Sequence, residues 1–328
     1  VNRLLKFVAL GLGGLIALLA LAWFFMYRGD IPFETLEARY ANPHSQWLNM
    51  PGRLRVHYRD QGNSKGPAVI MVHGFSASLH AWEPWVTRLG DRYRIITLDL
   101  PGHGLTDAPS NYVAGQDSNA DIVDALARNL YVDRYVVVGN SMGGGVAWED
   151  ALRHPDHVRG LILVDSVGLW QTRKSGDSGP LIFKILANPI GRALLRDLDV
   201  TPLARSGLKT AYGDPKVVTP ELVTRYVDLS RAPGHRDVIM NMRFARHAPI
   251  TAESFKAIKA PTLVLHGEAD KLIPLEAGKA LAAAIPGARL ITYPGVGHVP
   301  METIPDRSAA DVRAFLDGLP PEKVFVPQ

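Results

Sequence analysis

The chain has 328 residues, 47% hydrophobic and 21% charged, a balance that suits a globular protein and excludes a disordered or collagen-like one. Its net charge of +4 is small and dispersed, which argues against nucleic acid as a partner. Having no cysteine, it lacks disulfides, cysteine-ligated zinc and a thiol nucleophile.

Residues 1–28 stand apart. Phe7 to Tyr27 is a run of 21 residues without a charge, and a helix of that length spans roughly 30 Å, the thickness of a bilayer core. Arg3 and Lys6 precede the run, whereas Arg28 beyond it is offset by Asp30 and Glu34. This asymmetry predicts a single-pass anchor in the inner (cytoplasmic) membrane, with the N-terminus in the cytoplasm and the rest outside. Trp23, Phe24, Phe25 and Tyr27 would form the interfacial aromatic belt. A cleaved signal peptide is the alternative, since Ala20-Leu21-Ala22 resembles a cleavage site. The apolar run continues past that site, which favours the anchor. Gly13-x-x-x-Ala17, beside Gly11 and Gly14, would permit a homodimer through this helix.

Residues 29–50 read as a juxtamembrane segment. Ile31, Phe33, Leu36, Tyr40 and Trp47 alternate with charged residues, which suits either a short helix on the lipid surface or a linker helix, ended by Pro43.

From there strands and helices alternate. Arg53–Asp60, Ala68–Val72, Arg94–Leu98, Tyr135–Val138, Leu161–Val164, Thr262–Leu265 and Ala288–Thr292 read as strands. Asp117–Leu130, Gly144–Arg153, Leu275–Ile285 and Asp306–Leu319 read as amphipathic helices. Such alternation predicts an α/β fold with a mostly parallel sheet covered on both faces. It fails over 168–248, where helical apolar runs (Leu181, Ile182, Ile185, Leu186; Ile190, Leu194, Leu195, Leu198) are broken by prolines and no strand is evident. A helical insertion between two strands is the economical reading.

Val136 to Gly145 reads VVVGNSMGGG, a strand, a G-x-S-x-G and the start of a helix. In that arrangement Ser141 sits on a strained turn with its hydroxyl exposed above the sheet, and Gly139 and Gly143 flank it because side chains would collide there. Asn140 completes the elbow. An alcohol needs a base at neutral pH, and His298 in the glycine-bracketed loop PGVGH after a strand is the candidate. The base needs an acid to fix its tautomer. Asp270 in HGEAD is preferred; Asp165, at the end of an earlier strand, is the rival, and Glu268 reads as solvated. The oxyanion would be met by the backbone amides of Met142 and of Phe75 in the His73-Gly74-Phe75 loop. His73 reads as a loop-orienting residue and the DLPGHG at 99 as a structural turn. No metal-ligand spacing and no cofactor motif is evident.

HGF at 73, DLPGHG at 99, GNSMGG at 139, HGEAD at 266 and GVGHVP at 295 occur in this order. Through them, residues 53–318 resemble the α/β-hydrolase superfamily. That resemblance implies an eight-stranded sheet, with a core from 51–167 and 249–320 and the 168–248 insertion as a helical cap. With the anchor, the chain is similar to membrane-anchored bacterial lipases and phospholipases A.

The expected activity is therefore that of a membrane-held serine carboxylester hydrolase (Ser141, Asp270, His298) acting on lipids. The apolar cap residues such as Leu181–Leu186 could line an acyl channel. Asn140 before the serine also occurs in C–C hydrolases of dienoic ring-fission products, for which Arg225 could supply a cap cation. Those enzymes typically carry an aromatic residue after the histidine, where this chain has Val299. A small-ester esterase and a non-catalytic ligand receptor complete the alternatives. The receptor would be expected to have lost part of the constellation, and none is lost.

Overall fold

The computed structural model describes residues 2–169, 188–242 and 250–320. Helix α1 (Asn2–Met26) contains the apolar run, which is left exposed along its length. Helix α2 (Phe33–Tyr40) follows. Eight strands then form one sheet: β1 (Ser45–Met50), β2 (Leu54–Gly62), β3 (Ala68–Val72), β4 (Arg94–Leu98), β5 (Tyr135–Asn140), β6 (Val158–Val164), β7 (Thr262–Gly267) and β8 (Arg289–Tyr293). Their order is β1-β2-β4-β3-β5-β6-β7-β8. The β1–β2 and β2–β4 pairings are antiparallel, so β2 runs against the other strands, and the pairings from β3–β4 to β7–β8 are parallel.

The central strands are continuous apolar runs because both faces are covered, as in any parallel sheet. Val69, Ile70, Met71 and Val72 are all fully buried, alternating between two cores. α4 (Gln116–Asn129), α5 (Met142–Arg153) and α11 (Leu275–Ala284) contribute to one core. α3 (Glu83–Leu89), α12 (Pro300–Thr303) and α13 (Pro305–Asp317) contribute to the other.

The eighth strand is the one the sequence reading does not anticipate. Ser45–Met50 falls where a juxtamembrane segment was expected, yet it pairs with β2 from Ser45↔Arg59 to Met50↔Leu54. A six-residue edge strand, partly exposed on both faces, has too little periodicity to announce itself; β2 induces it. Helix α2 likewise turns its apolar side inward. Leu36 is fully buried with Leu105, Leu229 and Ala232, so this face meets protein and not lipid.

Between β6 and β7 the described residues form helices α6 (Pro189–Leu195), α7 (Thr201–Tyr212), α8 (Pro220–Ser230), α9 (His235–Asn241) and α10 (Ala252–Phe255). The Leu181–Leu186 run lies outside the described residues. This excursion grips the end of α1. Asp199 N–H donates to Met26 O (2.8 Å), Arg28 N–H donates to Asp197 O (2.6 Å), and Ile31 N–H donates to Arg231 O (2.8 Å). Arg236, nearly buried, pairs with Asp30 (2.6 Å) and Asp197 (3.1 Å) and donates to Arg28 O. Arg28 itself pairs with Asp199. The apolar helix is therefore tied to the excursion through main chain and ion pairs together.

Candidate active site

Parallel strands share one carboxyl edge, where open α/β sheets place their ligand crevices. β3 ends there at His73, β5 at Ser141, β6 at Asp165, β7 before Asp270 and β8 before His298.

Ser141 stands between β5 and α5 with φ 53° and ψ −117°, a conformation that costs a non-glycine residue about 1–3 kcal/mol and is kept where the surroundings enforce it. The glycines around it leave no room for side chains. A Cβ on Gly139 would lie 2.0 Å from Gly143 O, and one on Gly143 would lie 2.2 Å from Val72 O. Gly74 brings the HGF loop against the elbow, since its Cβ would lie 3.2 Å from Ser141 Cβ. Phe75 thus follows a residue in contact with the serine, and Met142 opens α5 beside it.

His73 is buried, and burial lowers its pKa. Its Nδ1 donates to Gly74 O (2.7 Å) and its Nε2 accepts Leu100 N–H (3.0 Å), which fixes one neutral tautomer and pins the loop. The turn at Asp99 is structural: its carboxylate takes the amides of Leu79 and Leu105 and bonds His57 Nδ1.

His298 Nδ1 lies 2.6 Å from Asp270 Oδ2, with both side chains almost shut off from solvent. Burial alone would raise the Asp270 pKa. The hydrogen bond and charge of His298, with the amides of Leu272 and Ile273, outweigh it and hold the carboxyl below its ordinary value. The geometry leaves Nε2 as the nitrogen that is not committed to the acid. Two contacts fix the histidine's main chain. Asn140 Nδ2 donates to His298 O (3.1 Å) and to Val164 O (3.1 Å), while His298 N–H donates to Ala211 O in α7 (2.7 Å). Asn140 is thereby the tie between elbow and base, a role that its position before Ser141 does not reveal.

Asp165 is fully buried with φ 45°. It makes no bond to His298; its Oδ1 accepts Gly267 N–H (2.8 Å). Glu268 is exposed and accepts the Thr292 hydroxyl (2.6 Å). Arg225 lines a cavity of about 470 Å³ with Arg39, Tyr40, Arg59 and His80. The described residues that could converge on a metal ion are Asp165, His266 and Asp270, whose ligand atoms lie within 4.8 Å of one another.

Residues 67–305 match the model of the α/β-hydrolase fold family. The chain belongs to this family. Among relatives of this α/β hydrolase, a 2-hydroxy-6-oxo-6-phenylhexa-2,4-dienoate hydrolase of Burkholderia cepacia is 31% identical over 75% of this chain and 85% of its own. A pimeloyl-[acyl-carrier protein] methyl ester esterase of Nitrosomonas europaea is 26% identical over 77% of this chain and 96% of its own. A solved structure described as a membrane phospholipase A, a bacterial virulence factor, aligns with a TM-score of 0.69 and 26% identity over 95% of this chain and 98% of its own.

Proposed function

We propose that this α/β hydrolase is a serine carboxylester hydrolase held in a membrane by α1, acting on acyl esters of lipids. The observation that carries the chemistry is the strained Ser141 elbow on the same sheet edge as the His298–Asp270 pair, tied to it through Asn140. In the reaction, His298 Nε2 takes the hydroxyl proton as Ser141 Oγ attacks the acyl carbonyl. Asp270 steadies the resulting imidazolium, and the Phe75 and Met142 amides receive the oxyanion. His298 then protonates the leaving alcohol, and water repeats the cycle on the acyl-enzyme.

Lipid as substrate is supported by position. The apolar helix is bonded to the β6–β7 excursion, which supplies the Ala211 contact to His298. We assign the excursion as the cap, so that bilayer, cap and catalytic loop form one continuous path. The likeness to a membrane phospholipase A covers 95% of the chain and so reaches into α1. With Arg3 and Lys6 ahead of the uncharged run that starts at Phe7, this reading puts the N-terminus in the cytoplasm and the catalytic domain outside.

A second reading, hydrolysis of a C–C bond in a dienoic ring-fission product, is favoured by the 31% identical relative. Val299 in place of an aromatic residue after His298 counts against it.

The test is product release by detergent-purified protein, wild type beside Ser141→Ala, on a phospholipid, a lysophospholipid, a monoacylglycerol, p-nitrophenyl esters and a dienoic ring-fission product. Serine-dependent fatty-acid release from the lipids is expected. Turnover of the ring-fission product alone would overturn the proposal in favour of the second reading, and activity confined to short soluble esters would remove the lipid assignment.

A further inference from the structure

The rival acid has a place of its own beside the pair. Asp165 and Asp270 leave neighbouring strands, and a carboxylate oxygen of each lies within 4.8 Å of the other. With Oδ1 occupied by Gly267 N–H, its Oδ2 is buried and meets no donor among the described residues. A buried carboxylate with one unpaired oxygen, this close to a second carboxylate, is costly for a core to hold. A shared cation would relieve it, and two are available in principle: a metal ion or a proton.

His266 argues against the metal. Its Nε2 is the atom nearest the two acids, 3.7 Å from Asp165 Oδ1 and 3.9 Å from Asp270 Oδ2. That nitrogen lies 3.0 Å from Ile273 O, so it carries the hydrogen and has no lone pair to offer. Its Nδ1 makes no hydrogen bond, and a Cβ on Gly278 would lie 2.6 Å from it.

We propose that Asp165 is a carboxylic acid at neutral pH and donates a hydrogen bond to the Asp270 carboxylate, as a positioning residue for the His298–Asp270 pair. Asp270 then accepts from Leu272 N–H, Ile273 N–H, His298 Nδ1 and Asp165, a set that fixes its plane and keeps it ionised. The other titratable groups facing this cluster are His266, kept neutral by burial, and Tyr293, whose hydroxyl bonds Asp311. Burial first, and then the Asp270 charge, push the Asp165 pKa well above the usual range, in agreement with the geometry. One carboxylate next to the histidine carries charge, while the other is neutral and supplies a donor.

This inference rests on Asp270 serving the proposed triad, and Asp165→Asn separates the possibilities. Asparagine tolerates the positive φ, accepts from Gly267 N–H and donates to Asp270 without changing the charge. Asp165→Ala, which removes the donor, is expected to lower kcat/KM about tenfold, and Asp165→Asn to restore most of that loss while keeping the acid limb of the pH profile within about 0.3 units of the wild type. If Asp165 were ionised, the substitution would remove a negative charge beside the developing imidazolium, moving that limb down by half a unit or more. Such a shift, or an Asp165→Asn variant no more active than Asp165→Ala, or an Asp165→Ala variant as active as the wild type, overturns the proposal. Infrared spectroscopy reads the proton independently of activity. A protonated-carboxyl band persisting in the wild type at pH 9 and lost in Asp165→Asn is expected, and no such band in the wild type overturns the proposal even if the variant does not fold. Because this arm needs no turnover, it stands if Ser141 proves not to be the nucleophile.

Discussion

The main-chain amide of His298 donates to the carbonyl of Ala211 at 2.7 Å, so the candidate base is held by α7 of the β6–β7 excursion as well as by the sheet. Gly297 makes that approach possible: a Cβ there would lie 2.5 Å from Ala211 O and 3.1 Å from Tyr212 C. Gly297→Ala should push the loop off α7 and lower kcat roughly 10- to 100-fold, the usual cost of misplacing a catalytic group by about an ångström. Gly287→Ala is the control. That glycine has φ 69° with nothing within 4 Å, so its substitution should cost about 1 kcal/mol of stability and leave kcat unchanged.

Asn140 faces two carbonyl oxygens, those of Val164 and His298. Asn140→Ala leaves both without this donor and should lower kcat while destabilising the fold by about 1–3 kcal/mol. Asn140→Asp should be the worse at pH 8, because an ionised carboxylate would face two acceptors. It should recover partly as the pH falls and the acid regains a proton. Steady-state kinetics of both variants between pH 5 and 9 checks the order.

Glu302 lies four residues after His298, and its Oε1 is buried without a hydrogen-bond partner. Burial, opposed by Tyr212 and Arg225, pushes its pKa up to about 7. A carboxyl raised on folding stays protonated in the native state where the unfolded chain has already ionised. Its contribution is therefore fully present below the ordinary glutamate pKa and is lost as the pH rises through about 7. Glu302→Gln should match the wild type at pH 4 and exceed it by roughly 1–3 kcal/mol above pH 7.5, measured by thermal melting across that range.

Arg236 holds Asp30 and Asp197 together from a nearly buried position. Arg236→Ala takes this partner from Asp30 and leaves Asp197 to Arg196, and should cost roughly 1–3 kcal/mol. It should also loosen the connection at Arg28, which donates its amide to Asp197 O. Limited trypsin digestion in detergent should cut after Arg28 faster in the variant while the rest of the domain resists.

The elements that pack into a two-sided core were readable from the sequence, because a buried parallel strand must be apolar throughout. Ala68–Val72 and Arg94–Leu98 have the boundaries that the apolar runs suggest. β1 was not readable: Ser45–Met50 is an edge strand whose pairing partner alone makes it a strand. The elbow was legible since its glycine spacing falls between an apolar strand run and a helical pattern, although Gly143 answers to the distant Val72 O as well. What remained hidden depends on contacts between distant segments. Nothing local tells that Asn140 reaches His298 O, that Ala211 receives the His298 amide, or that Asp165 and Asp270 sit side by side and only the second bonds His298.

The central claim is that Ser141 forms an acyl-enzyme through His298. Stopped-flow hydrolysis of a p-nitrophenyl ester, followed by peptide mapping of the quenched protein, tests it most directly. The account predicts an acyl adduct on Ser141, absent from Ser141→Ala and severely slowed in His298→Ala. Undiminished turnover by Ser141→Ala, or an adduct on any other residue, would contradict it.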